Sequence, residues 1–176
     1  YLAKFYENPS RWALTMQLHL LNVRYQMHMK AQWAQKHVIL DRSVYGDTAF
    51  ARLQLKTNTM TSDEYSTYIS NFKNLTNNVN LPDICIHLIA DPEVAAHRVQ
   101  QRMIGQKGRV CENAIDMNYL NMLKEEEDNV IKLLHDKGVH IINLNWNKEI
   151  STTDIKHATD SIATFISEYD VGNDFI

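Results

Sequence analysis

The chain has 176 residues, with 18 Lys and Arg against 21 Asp and Glu, a net charge of −3, and 44% apolar to 22% charged residues. That profile describes one globular domain, residues 1–176, with enough chain for a sizeable core. It lacks the basic excess of a nucleic-acid or acidic-membrane binder, and its two cysteines, Cys85 and Cys111, build neither a disulfide framework nor a zinc cluster. No apolar run reaches the ~18 residues of a membrane span and the first residues do not form a signal peptide, so a soluble protein of a reducing compartment is expected.

Asn8 and Pro9 open a predicted helix to about Gln35, with Trp12, Met16, His19, Leu20, Val23 and Met27 spaced by threes and fours. His37 to Leu40 reads as a short strand ending at Asp41, followed by a helix from Ser43 to Leu55. Thr61 and Glu64 make a capping box for a helix to about Asn78. Ile84 to Ala90 is strand-like, and Asp91-Pro92-Glu93 combines an N-cap acid, a proline at the first helical position and a first-turn acid, giving a helix over 92–103. The polar, glycine-containing stretch 105–112 reads as a mobile loop. A helix over 116–136 stops at Gly138, Val139 to Leu144 is a third strand, and Ser151 opens a last helix to about Ser167. Strands alternating with helices imply an α/β fold, a parallel sheet with helices on both faces, whose ligands bind at the carboxyl ends of the strands.

Three groups of residues lie where that rule places a site. Asp41-Arg42-Ser43 sets a carboxylate suited to a magnesium-bound water and a bidentate guanidinium at a strand end, although the same triplet also serves as an ordinary helix start. Arg98 and Arg102 share one helix face, and Arg109 follows in the loop with Lys107. Three such guanidiniums form the clamp that phosphoryl transfer requires, and equally a solvated surface. Gln17 and Arg24, two helical turns apart, share a face near Tyr6, with Asp47 as a candidate partner for Arg24. The eight histidines show no metal-ligand spacing, and Glu125 to Asp128 reads as a solvated helix face.

In this order, these residues resemble the deoxynucleoside kinase family from Tyr1 to about Ile150. Phe5-Tyr6-Glu7-Asn8-Pro9-Ser10-Arg11-Trp12, with Gln17 and Arg24, is similar to that family's substrate helix. The resemblance implies that Tyr6 contacts the sugar 3′-hydroxyl, Gln17 pairs with the base, and Arg24 works with Asp47 at the base edge. Asp41-Arg42-Ser43 resembles the family's acid-Arg-Ser motif, implying Asp41 near magnesium and Arg42 near the 5′-hydroxyl. Residues 98–115, with Arg98, Arg102, Arg109 and Glu112, resemble its lid, in which the arginines hold phosphates and the glutamate the 3′-hydroxyl; Met103 to Lys107 looks like an insertion there. Asn147, Lys148, Glu149 and Ile150 match the stretch around the adenine of ATP.

The implied fold is the three-layer P-loop kinase fold. The family's opening strand, its phosphate loop ending Lys-Ser/Thr and its second strand with a catalytic glutamate have no counterpart here, and are expected upstream of Tyr1. The implied activity is transfer of the γ-phosphoryl of ATP, with Mg²⁺, to the 5′-hydroxyl of a deoxyribonucleoside bearing a purine or cytosine, in a homodimer of the cytoplasm or the mitochondrial matrix. Two other readings fit the fold: a kinase-like accessory subunit without catalysis, and a deoxynucleoside monophosphate kinase.

Overall fold

A computed structural model describes residues 1–34, 36–105, 115–148 and 151–173. The chain opens with a six-residue helix, α1 (Leu2–Glu7), which the sequence pattern does not separate from the longer helix after it. Asn8 breaks it, accepting a hydrogen bond on Oδ1 from the Arg11 N–H at 3.2 Å, and with Pro9 in the first position starts α2 (Pro9–Gln32). The buried stripe of α2 is Ala13, Gln17, Leu21 and His28. Two polar side chains in a four-residue stripe mark this helix as more than a core element, since buried polar groups need partners.

The predicted strand at His37–Leu40 is absent: the segment is irregular. Extended residues become a strand only when a neighbour takes their backbone groups, and among the described residues none does; Ile39 is 87% exposed and Val38 is exposed beside it. The helix expected from Ser43 starts at Asp47 instead, as α3 (Asp47–Lys56). Arg42 has φ +64°, the left-handed region that a right-handed helix cannot include. A turn over 43–46 comes next and sends Val44 and Tyr45 into the core.

α4 (Ser62–Thr76) carries the capping box: the Glu64 N–H donates to Thr61 Oγ1 at 3.2 Å and the Thr61 N–H to Glu64 Oε2 at 2.9 Å. β1 (Ile84–Ile89) leads into α5 (Pro92–Gly105); α6 (Met117–Asp136) ends at Gly138, whose φ of +90° suits only glycine, and is followed by β2 (His140–Asn145) and α7 (Thr152–Asn173). β1 and β2 pair in parallel, Ile84 opposite His140 through Ile89 opposite Asn145. Ile141 belongs to the core that includes Val130 and Leu134 of α6, whereas the His140 ring stacks on Phe165 of α7 at 4.6 Å between centroids. Successive strand residues point to opposite faces, so α6 and α7 cover the two faces of the sheet and the expected three layers are present. The main core lies between α2, α3, α4 and α6, around Leu21, Val44, Ala49 and Tyr68. Among the described residues no helix is long and apolar enough to cross a membrane.

Candidate substrate cavity

α2 and α3 run antiparallel. His28 meets Tyr45 ring to ring, Arg24 meets Asp47, and Ala13 clusters with Met60, so contacts move down α2 as they move up the later chain. Where α1, α2 and α3 meet, with Tyr119 of the first turn of α6, they leave a cleft of about 160 Å³. Tyr6, Gln17, Arg24, Arg42 and Asp47 all line it. The structure therefore brings together five of the residues singled out by sequence, from two helices, a loop and a third helix.

Asp47 is 2% exposed. Burial pushes its carboxyl above the ordinary range, with Arg24 and then Arg42 opposing the shift. Arg24 Nε stands 3.5 Å from Asp47 Oδ2, an ion pair without hydrogen-bond alignment, so both atoms are left without a hydrogen-bond partner. Arg24 is nonetheless fixed, because Nη1 donates to the Asp41 carbonyl at 2.7 Å. That bond ties α2 to the loop carrying Asp41 and Arg42. The Gln17 Oε1 atom is likewise buried and unpartnered. A cleft walled by a carboxylate, a guanidinium and an amide with unused hydrogen-bonding capacity is built for a polar, planar ligand.

Seven further lining residues were given no site role by sequence, among them Met16, Phe50, Gln54 and Tyr119. The Arg42 guanidinium lies over the Phe50 ring at 4.8 Å and 3.8 Å from Glu127 Oε1. Burial raises the carboxyl of Glu127, and the Arg42 charge opposes this. Phe50 and Gln54 come after Asp47 at helical spacing, which is the signal that would have found them. The expectation of a solvated face over Glu125–Asp128 holds for Glu125 and Asp128, which are exposed, and is corrected for Glu126 and Glu127. Glu126 is 3% exposed and paired with Lys56 and Arg52 of α3, and Glu127 faces Arg42. Helix α6 packs on α3 along that side, so the acids meet cations across the interface.

Asp41 is exposed in the loop before α3. Among the described residues no three metal-ligating side chains converge. A lone accessible carboxylate fits a magnesium ion held largely by phosphate oxygens and water, the usual mode for that ion. Arg98 and Arg102 do not line the cleft. Arg98 Nη2 donates to the Trp146 carbonyl at 2.6 Å, beyond the carboxyl end of β2. The Asn147 side chain is engaged nearby: the Asp91 N–H donates to its Oδ1 at 2.6 Å, and its Nδ2 donates to Asp91 Oδ2 at 2.8 Å. Lys148 is exposed beside it. Arg109, Glu112, Glu149 and Ile150 lie outside the described residues.

The family model for deoxynucleoside kinase matches residues 1–167. A deoxyadenosine kinase of Dictyostelium discoideum is 29% identical over 148 residues, covering 84% of this chain and 58% of the relative. A deoxyguanosine kinase of the same organism is 34% identical over 151 residues, covering 84% and 51%. The deoxyadenosine/deoxycytidine kinase of Bacillus subtilis is 31% identical over 134 residues, covering 74% and 59%. The chain thus spans about half the length of the curated relatives it matches. Among solved structures, deoxyadenosine kinase from M. mycoides with the products dCMP and dCDP superposes with a TM-score of 0.76 at 23% identity, over 93% of this chain and 80% of that one. The α/β fold is the one those kinases have.

Proposed function

This chain belongs to the deoxynucleoside kinase family, and on that premise we propose that it acts in transferring the γ-phosphoryl of ATP to the 5′-hydroxyl of a deoxyribonucleoside bearing adenine, guanine or cytosine. One observation carries the reading: Tyr6, Gln17, Arg24, Arg42 and Asp47, drawn from three helices and a loop, wall a single cleft. The names of the relatives, which act on deoxyadenosine, deoxyguanosine and deoxycytidine, support the choice of bases.

In this proposal Gln17, Arg24 and Asp47 hold the base, and Tyr6 with Glu112 holds the 3′-hydroxyl. Arg42, steadied over Phe50, donates to the 5′-hydroxyl. Positioning of this kind converts a bimolecular encounter into a local one. Arg98, Arg102 and Arg109 stabilise the charge that spreads over the transferring phosphoryl group. Residues 147–150 face the adenine of the donor through backbone groups. Magnesium, when bound, neutralises phosphate charge, and Asp41 is the residue that would hold it. The protein is a homodimer in this reading, as the family resemblance implies.

The test is label transfer from γ-labelled ATP with Mg²⁺, using protein expressed from its complete coding sequence. Labelled 5′-monophosphates of deoxyadenosine, deoxyguanosine or deoxycytidine are expected, with thymidine a poorer acceptor. Label appearing only in diphosphates made from added monophosphates, or no transfer at all, would overturn the proposal.

A further inference from the structure

We infer that Gln54, together with Gln17, forms an amide pair that reads the exocyclic amino group of the base. The inference rests on the nucleoside-binding reading and goes beyond it, because nothing in the sequence pattern gave Gln54 a role.

Because α2 and α3 run antiparallel, residues that face each other can be paired off along the two helices. Arg24 faces Asp47. Seven residues back along α2 is Gln17, and seven residues on along α3 is Gln54. Seven residues is close to two full turns, so each glutamine lies on the same helix face as the charged residue above it and about 10 Å further along. Both glutamines line the cleft. The cleft thus has two polar levels: the Arg24–Asp47 ion pair and, two turns along the helices, the primary amides of Gln17 and Gln54.

The state of these amides points to a ligand. Gln17 is 2% and Gln54 4% exposed, yet Oε1 of each is buried without a hydrogen-bond partner. A buried acceptor left unsatisfied destabilises the fold, a cost that a bound donor would remove. Gln54 also has no evident structural duty for its side chain. It is the Gln54 backbone carbonyl, not the amide, that accepts from Thr57, Thr59 and the Met60 N–H to close the end of α3. Two buried, unpartnered amide oxygens in the wall of one cleft call for N–H donors from a ligand. An exocyclic amine supplies two such hydrogens, and adenine, guanine and cytosine each carry one whereas thymine carries none.

The experiment compares each nucleoside with its analogue lacking the amine: deoxyadenosine against purine 2′-deoxyriboside, and deoxycytidine against the corresponding 2-pyrimidinone 2′-deoxyriboside. Affinities are measured by calorimetry on the wild-type protein and on Gln54→Met and Gln54→Asn. Met keeps the length of the side chain without its amide; Asn stays polar but draws the oxygen back by one methylene. In wild type the amino-bearing nucleoside should bind more tightly, and in both variants that preference should fall about tenfold, the factor expected for one lost hydrogen bond of about 1.4 kcal/mol. A residue that merely supports the fold would weaken both members of a pair equally and leave the ratio intact. An unchanged ratio in either folded variant overturns the assignment of Gln54 alone. Wild-type protein that binds no deoxynucleoside overturns the functional reading and this inference together.

Discussion

At the scale of single residues, the most consequential charge is that of Asp47. It is buried, and only Arg24 and Arg42 make its ionisation tolerable. Arg24→Met would leave a buried carboxylate without its nearest cation, a change that costs about 3 kcal/mol. The loss should depend on pH with a definite sign. A carboxyl whose pKa is higher in the folded than in the unfolded state costs stability that sets in as pH rises from its ordinary value of 3.8 through the folded one. Removing Arg24 enlarges that cost and carries its window to higher pH. Urea denaturation should therefore show a gap between wild type and Arg24→Met that is wide at pH 7 and narrow near pH 4, and an equal gap at both would count against this account. His28 has the opposite sign. Burial beside Tyr45 lowers its pKa from 6.5, against an opposing hydrogen bond to the Asn80 backbone, so the unfolded chain binds the proton first. Wild-type stability should fall as pH drops below about 6.5. His28→Gln should lack that part of the slope, which the same denaturation series would measure.

Elements that stop and start on local chemistry were legible in the sequence, and those defined by distant partners were not. Asn8 with Pro9, Thr61 with Glu64, and Gly138 at φ +90° each act within one turn of chain, and each sits where the pattern placed it. The capping box is accordingly open to a local test: Thr61→Ala should cost about 1 kcal/mol, read as a shift in the denaturation midpoint at constant slope. His37–Leu40 has the composition of a strand, but strand formation depends on a neighbour that no local pattern reports. The start of α3 was misplaced by four residues because the left-handed Arg42 is a backbone state that arginine composition does not announce. The same division holds in the cleft. Tyr6, Gln17, Arg24, Arg42 and Asp47 could be named from motif and spacing, whereas Tyr119 enters only through the packing of α6 on α3. Glu126 was misread for the same reason: a run of four acids looks solvated until the helix carrying Lys56 and Arg52 is laid against it.

Over the whole molecule, the cleft and the sheet occupy different parts of the fold, and this sets how a ligand should stabilise the chain. The cleft is bounded by α1, α2 and α3 and closed at one side by Tyr119, while β1, β2 and α7 contribute nothing to its wall. α1 is the weak member. It has six residues, far fewer than an isolated helix needs, and packs chiefly on α2, with Phe5 its one buried side chain. Leu2, Phe5 and Tyr6 of that short helix all face the cleft. A bound nucleoside would touch α1 and α2 at once and so hold down the element most prone to open on its own. A ligand at 100 times its Kd adds about 2.7 kcal/mol to the folded state, which for a chain of this size corresponds to a rise in Tm of about 5–10 °C. Deoxyadenosine or deoxyguanosine should produce that rise, with hydrogen-exchange protection gained most in α1 and the facing turns of α2 and α3, and little direct change in β1, β2 or α7. Protection concentrated instead on the sheet and α5 would mean that the nucleoside sits at the carboxyl end of the strands, beside Arg98 and Asn147, and not between α2 and α3.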